Sequence, residues 1–402
     1  MNNIKLDFPI LDKKIRDKAI TYLDSAASTQ KPKQVINSIS EFLENSYENV
    51  HRGMNSLSID ATDLYEKSRD VAKNFINSNS TNEIIFTRGA TDSINIIANS
   101  LAEHLKEGDK IVVTELEHHS NYLPWMNLCK KLGLELKIIP FSKDGILSED
   151  DIINNCDDST KVLSLTHMSN VTGQILDIKK IKKSINKDTY VAVDGCQSIA
   201  HLKIDVKDLD CDFYSFSSHK LYGPSGIGIM YGKEDILNKL NPPTLGGGMI
   251  NEVSSNDFSY AMLPNKFEPG TPSIEAAIGF KTAMEYLNNN NYQDYFLNEK
   301  KLRSTLIKAL REFKEVDIYG SNEDGNATSI FSFNIKNQNF NDIATFLDQY
   351  GIMIRGGHHC CQPFMKKLGI PGSCRVSFGI YNDLNDIDHF IDSLKKTLKL
   401  LQ

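Results

Sequence analysis

The sequence predicts an α/β protein: a large domain around a mainly parallel, seven-stranded sheet, followed by a smaller C-terminal α+β domain. Three observations lead there. Between about Tyr22 and Tyr231, short β-rich runs alternate with helical patterns, as βαβ units do. Several of these runs are apolar on both faces, which suits strands covered by helices on either side. After the Gly- and Pro-containing stretch Asn241 to Gly248 the pattern changes, and from about Ser273 long helices dominate.

The strands are expected at 83–86, 110–114, 135–140, 161–165, 190–193, 212–216 and 226–231. In the second part, Ile343, Phe346, Leu347 and Tyr350 share one face of a helix over 342–350, and Gly351 supplies its stop. A strand at 330–335, a short one ending at Arg355, another at 375–378 and a last helix to Leu400 complete the smaller domain. The expected division is 1–20 as an N-terminal segment packing near the small domain, 21–272 as the large domain and 273–402 as the small one.

Composition narrows the function classes. The 402 residues are 40% hydrophobic and 24% charged, which allows a sizeable core. A net charge of -7 without any Lys/Arg-rich block speaks against nucleic acid. Residues 1–20 mix Asp7, Lys13, Lys14, Arg16 and Asp17 with scattered apolar residues, so they lack the apolar stretch of a signal peptide. No apolar run approaches the roughly 20 residues of a membrane span. A cytoplasmic protein with no membrane partner is expected. The seven cysteines, Cys129, Cys156, Cys196, Cys211, Cys360, Cys361 and Cys374, are odd in number and scattered, which reads as reduced thiols, not a disulfide framework.

Chemistry concentrates in a few segments. Ser215 to Lys220 follows an apolar strand and precedes Tyr222-Gly223-Pro224-Ser225-Gly226-Ile227-Gly228. A lysine there, among small hydroxyl residues, can form a Schiff base with a phosphate-bearing aldehyde; alone, it would read as a surface lysine beside a turn. Asp194 ends another apolar strand, where a carboxylate can hold a pyridinium nitrogen protonated or merely cap a turn. Thr87-Arg88-Gly89-Ala90-Thr91-Asp92 joins strand to helix, and its backbone N–H groups with the Thr91 hydroxyl suit a phosphate, although most such turns bind nothing. In Glu117-His118-His119 an imidazole could stack on a flat ring; a histidine pair more often means a metal or a polar cluster.

The run Arg355-Gly356-Gly357-His358-His359-Cys360-Cys361-Gln362-Pro363 raises a metal site first. Adjacent side chains converge poorly on a tetrahedron, however, and the paired-cysteine spacing is missing. No metal is expected. A cysteine beside two histidines and an arginine instead suits a nucleophilic thiolate, which nearby positive charge stabilises. Arg375, leading into a strand, could clamp a carboxylate through two parallel hydrogen bonds or lie free on the surface.

Together these segments resemble the class V aminotransferase family of fold-type I pyridoxal-phosphate enzymes, and within it the Suf-type, or group II, cysteine desulfurases. The likeness runs nearly end to end, through Tyr22-Leu23-Asp24-Ser25-Ala26-Ala27-Ser28, Val50-His51-Arg52-Gly53, Glu117-His118-His119-Ser120-Asn121, Thr166 to Gly173, Ser217 to Pro224 and Phe267-Glu268-Pro269-Gly270-Thr271-Pro272. The resemblance implies pyridoxal 5'-phosphate bound covalently to Lys220, Asp194 on the pyridinium nitrogen, Gln197 on the ring hydroxyl and His118 stacked on the ring and handling protons. It implies that Ala90, Thr91, Ser217 and His219 hold the phosphate, with Thr271 reaching in from the second subunit of a homodimer. Asn170 and Arg375 would orient the substrate carboxylate, with Arg355 near the same anion and His51 also in the substrate site. Cys360 falls on the sulfur-accepting cysteine. Cys361 departs from the pattern and leaves open which thiol is finally labelled. Gly356, between Arg355 and the Gly-His-His run, is expected to add only flexibility.

The implied activity converts L-cysteine to L-alanine, leaves a persulfide on Cys360 and supplies sulfur for Fe-S cluster assembly. The alternatives are a selenocysteine lyase acting on L-selenocysteine, another class V enzyme such as an aminotransferase or β-lyase, and an idle scaffold subunit; Cys360 speaks against the second, and the presence of Lys220, Asp194 and Cys360 against the third. A SufE-type acceptor is expected over a zinc-bearing SufU-type one, because Asn341 stands where a zinc-binding histidine would be needed, and an amide is a poor zinc ligand. Asn341 would also cap the helix over 342–350.

Overall fold

The computed structural model describes residues 4–290, 292–320 and 326–401, so Met1 to Asn3 of the N-terminal segment lie outside the described residues. Seven strands form the main sheet: β1 (Ile84–Thr87), β2 (Lys110–Thr114), β3 (Glu135–Ile139), β4 (Thr160–Thr166), β5 (Tyr190–Asp194), β6 (Phe213–Ser217) and β7 (Gly228–Gly232). Their order is β1-β7-β6-β5-β4-β2-β3. Only β7 runs antiparallel to its neighbours. The expected strands are all present, with ends moved by a residue or two. The largest move is at β7, which starts after Gly226 because that glycine turns the chain at φ +82°.

The sheet is covered on both faces, and the alternation along each strand shows it. Ile111, Val113, Val162, Ala192, Phe213 and Met230 enter one apolar cluster, whereas Val112, Leu163, Leu165, Val191, Val193 and Phe216 enter the other. Helices α1 (Lys33–Asn45), α2 (Ser56–Phe75) and α3 (Ala90–Leu101) belong to this part of the chain, and α4 (Ile274–Asn289) contributes Phe280 and Met284 to the same cluster as Phe216.

The rest of the chain forms a four-stranded antiparallel sheet of β8 (Val316–Tyr319), β9 (Ile330–Ile335), β10 (Arg355–Gly357) and β11 (Ser373–Ser377), in the order β8-β9-β11-β10. Helices α5 (Tyr292–Leu310), α6 (Phe340–Asp348) and α7 (Leu384–Leu401) share an apolar cluster with it through Leu306, Phe333, Leu347, Val376 and Phe390. The chain start is tied to both parts. Phe8 lies edge-on against Tyr222, Tyr286 and Tyr381, Lys5 pairs with Asp386 at 2.8 Å, and Thr21–Tyr22 runs parallel to Ile352–Met353.

Two local expectations are corrected. Helix α6 begins at Phe340, and its cap is Asn339, whose side chain accepts the Asn341 N–H at 2.8 Å; Asn341 sits inside the first turn, where its amide cannot cap. Gly356 is not a flexible spacer. It is paired with Cys374 in the sheet, and a Cβ there would stand 3.0 Å from Asn341 Oδ1 and 3.2 Å from the Phe340 carbonyl, so the position admits nothing larger without a shift. A hairpin of Ile250–Val253 and Phe258–Tyr260, which was not expected, leaves Val253 and Phe258 exposed.

Candidate active site

In a doubly covered parallel sheet, the groups free to meet a ligand are those at the carboxyl ends of the strands. There β1 leads into Gly89 and α3, β2 into Glu117 and His118, β4 into Asn170, β5 ends at Asp194, and β6 passes through Ser217 to Lys220. The second sheet brings Arg355, Arg375 and the loop of Cys360 to the same place. His118, Asn170, Asp194, Ser217, Lys220, Arg355, Cys360 and Arg375 line one cavity of about 180 Å³, together with Ala26, Ala90, Thr91, Cys196, His219 and His359.

One side of the cavity is built for an anion. Gly89, at φ +147°, starts α3 without a side-chain cap, and the Ala90 N–H donates to Ser217 Oγ at 2.8 Å. A Cβ on Gly228 would come within 2.6 Å of Gly89 Cα, so the turn needs glycine on the facing strand. Thr91 Oγ1 lies 2.7 Å from Ser120 Oγ, and His219 Nδ1 3.3 Å from Ser28 Oγ. An uncapped helix start ringed by hydroxyls and an imidazole favours a phosphate.

In the middle, Asp194 accepts the Cys196 N–H on Oδ1 at 2.9 Å. His118 accepts the Ser120 N–H on Nδ1 at 3.1 Å, which assigns its proton to Nε2. Burial, with the positive Lys220 second, lowers its pKa to about 3, so the ring is neutral. Lys220 Nζ has no hydrogen bond or ion pair among the described residues. Beneath His118, the fully buried Glu117 carboxyl accepts from Thr114 Oγ1, Asn121 Nδ2 and the Thr166 N–H, tying the loop to the ends of β2 and β4.

The far wall carries the cationic pair and the thiol. Arg355 and Arg375 are cross-strand partners on β10 and β11. Arg375 donates to the Asn170 carbonyl at 3.2 Å and to Asp24 at 2.9 Å, and its buried Nε has no partner. Two guanidiniums side by side against one carboxylate leave a positive excess that a substrate carboxylate would neutralise. Cys360 and His359 both adopt left-handed backbone, at φ +55° and +51°. The Cys360 carbonyl accepts the His119 N–H at 2.8 Å, and the His359 carbonyl accepts from Asn170 Nδ2 at 2.8 Å. The loop is thus held in a strained shape by its surroundings, as functional loops often are. Cys361 points the other way, into the apolar core, where burial pushes its thiol far up and Sγ donates to the Glu115 carbonyl.

Of the sequence-predicted residues, Lys220, Cys360, His118, Ala90, Thr91, Asp194, Ser217, His219, Asn170, Arg355 and Arg375 are brought together here. Gln197 lies alongside, donating to the Ala26 carbonyl at 3.0 Å. Two are placed elsewhere: His51 pairs with Glu66, and Thr271 lines a separate cavity of about 330 Å³. Cys196 and His359, which line the cavity, and Asp24, which pairs with Arg375 behind it, were not anticipated from the sequence. Asp24 lies within the segment Tyr22 to Ser28, and the available signal was an acid set between apolar and small residues. Among the described residues no group of three or more His, Cys, Asp and Glu side chains is placed to hold a metal ion.

A partnerless amine, a carboxylate at a strand end, a neutral imidazole and a helix start without a side-chain cap, all at the carboxyl ends of the strands, fit a pyridoxal-phosphate enzyme of α/β fold. The chain belongs to the aminotransferase class-V family, which its residues 21–390 match, and pyridoxal phosphate is its cofactor. It is 44% identical over 393 residues, 97% of this chain and 95% of the relative, to a probable cysteine desulfurase of Staphylococcus epidermidis. It is 42% identical over 399 residues, 99% and 96% of the two chains, to a probable cysteine desulfurase of Staphylococcus aureus. Among solved structures it is similar to the cysteine desulfurase CsdA of Escherichia coli in its S-sulfonic acid form, with a TM-score of 0.91 at 33% identity over 100% of this chain and 99% of that one. The apo cysteine desulfurase of Thermococcus onnurineus NA1 gives a TM-score of 0.94 at 36% identity, covering 99% and 98%.

Proposed function

We infer that this chain is a cysteine desulfurase that converts L-cysteine to L-alanine and keeps the sulfur as a persulfide on Cys360. The observation that carries the reading is the position of Cys360, on the wall of the same cavity as Lys220, with its neighbour Cys361 turned into the core. When bound, pyridoxal phosphate supplies the electron sink that makes bond breaking at the substrate Cα and Cβ feasible. The chain's own groups do the rest. Arg375 and Asn170 hold the substrate carboxylate, with Arg355 adding charge. Lys220 Nζ takes and returns the Cα proton, and His118, neutral and with its proton on Nε2, can donate a hydrogen bond. Cys360 Sγ, as the thiolate, attacks the substrate sulfur, so that an S–S bond forms as the C–S bond breaks, and Cβ takes up the proton that the thiol gave up before alanine leaves.

The same reading extends outward. A homodimer would let His51 and Thr271, which stand outside their own cavity, serve the partner's. The persulfide must pass to a carrier, and a groove of about 920 Å³ lies against the Cys360 loop, lined by His119, His358, Leu123, Met126, Pro363 and Lys366. With Asn341 offering no imidazole to zinc, a metal-free SufE-type acceptor that takes the sulfur by thiol exchange is preferred, and Fe-S cluster assembly is the end use. The seven cysteines are all unpaired, in keeping with work in the reducing cytoplasm; no helix among the described residues is long and apolar enough to cross a membrane.

Anaerobic incubation with L-cysteine and a reductant tests the activity. Alanine and sulfide in equal amounts are expected. Pyruvate and ammonia in place of alanine would mark a β-lyase and defeat the reading. Turnover that needs L-selenocysteine would defeat it in favour of a selenocysteine lyase. Stimulation by a zinc-bound carrier and none by a SufE-type one would overturn the choice of acceptor.

A further inference from the structure

The two predicted site residues that lie outside the cavity are not independent of each other. His51 Nε2 meets Glu66 Oε1 at 2.8 Å, and the second oxygen of Glu66 accepts Arg69 Nε at 3.0 Å. Arg69 then grips Glu268 with both terminal nitrogens, at 2.6 and 2.9 Å, and Glu268 is three residues before Thr271. Arg69 is fully buried, with its guanidinium 4.6 Å from the centre of the Phe86 ring. Burying a charge there is costly unless it is paired and hydrogen-bonded, and here each of its three nitrogens has a partner: Arg69 Nη1 also donates to the Ile84 carbonyl at 2.7 Å, and Glu268 Oε1 accepts the Phe86 N–H at 2.6 Å. These are groups of β1, the edge strand, which therefore serves as the rigid mount of the network. His51 itself is held in left-handed backbone, φ +73°, its N–H on Thr62 Oγ1 at 2.9 Å and its ring edge-on to Tyr65. A non-glycine residue keeps such a shape only where its surroundings impose it.

We propose that Arg69 is a positioning residue that holds His51 and Thr271 together in the geometry in which they complete the cofactor and substrate cavity of a second copy of the chain. The proposal rests on the homodimer reading above. Arg69 touches neither cavity contents nor reacting atoms; it acts through Glu66 on one side and Glu268 on the other. Because the effect is exerted on the partner, a defect at Arg69 belongs to the opposite chain's cavity and not to its own.

This crossing of the defect is what an experiment can read. Arg69→Met, and the milder Glu268→Gln should Arg69→Met fail to fold, would be compared with wild type for dimerisation by sedimentation and for pyridoxal phosphate affinity by the absorbance of the bound cofactor. An affinity about tenfold or more weaker is expected, the scale of losing a hydrogen bond to a charged group. Each variant would then be co-expressed with Lys220→Ala on a second tag and the mixed dimer isolated. Its one remaining Lys220 lies in the variant chain and is served by an intact Arg69 network from the other, so wild-type affinity is expected to return at half the sites. Unchanged affinity in both variant homodimers, or a mixed dimer that stays weak, would overturn the proposal by placing the role in the chain's own fold. A monomeric wild type that binds cofactor normally would remove the homodimer reading, and the proposal with it.

Discussion

Two cysteines adjacent in sequence have opposite surroundings, and the difference is carried by one turn of backbone. Cys360, left-handed, lines the cavity, whereas Cys361 is wholly buried among apolar side chains. Cys360→Ala is expected to bind L-cysteine, seen as a change in the cofactor's absorbance, but to form no protein-bound sulfur. Cys361→Ala is expected to keep most turnover and to lose about 1 kcal/mol of stability, the usual cost of trimming a packed side chain; chemical denaturation and an alanine assay together check both. Arg375 makes a second case. Its fork spans the Asn170 carbonyl and Asp24, which a lysine cannot reproduce. Arg375→Lys should lower kcat/KM for cysteine by about 30-fold or more, chiefly through KM, equivalent to ~2 kcal/mol. An unchanged KM would mean the carboxylate is held elsewhere.

Among the elements, the seven strands were legible because burial on both faces leaves a continuous apolar run that few other structures need, as in Ile111 to Val113 and Val191 to Val193. Their carboxyl ends then pointed to Lys220, Asp194 and His118 in advance, whereas Asn170 came only from the family likeness. The hairpin of Ile250–Val253 was not legible: Asn251, Glu252 and Ser254 interrupt any alternation, and its side chains are mostly exposed, so no pattern is imposed on it. The cavity role of His359 was hidden too, since contact with Ser373 across a second sheet is set by tertiary packing, not local spacing. At α6 the neighbouring Asn339 and Asn341 look equivalent in sequence, and the start of the helix decides between them. Asn339→Ala should cost about 1 kcal/mol and Asn341→Ala much less in urea unfolding. The reverse order would restore Asn341 as the cap.

At the scale of the whole molecule, joining two sheets around one cavity requires burying imidazoles. Burial foremost lowers His118 to about 3, His167 and His219 to about 4 and His359 to about 2, from an ordinary 6.5. In the unfolded chain these rings protonate near 6.5, so as pH falls from 6.5 toward 4 the unfolded state takes up more protons and stability is lost. Glu117, pushed up to about 8 by burial, and Asp24, also raised by burial, act in the opposite sense but are outnumbered by the buried imidazoles. The thermal midpoint of the cofactor-free protein should therefore fall steadily across that window; a midpoint that rises toward pH 4 would contradict the burial of neutral histidines.

The whole arrangement serves to deliver one sulfur atom to one side chain, which mass spectrometry can follow. The holoenzyme would be given a single equivalent of L-cysteine per site, anaerobically and without acceptor or reductant, then digested under non-reducing conditions. One sulfur atom added to Cys360 and an equal amount of alanine released are expected. Alanine without added sulfur on the protein, or the extra sulfur on Cys361 or another cysteine alone, would contradict this.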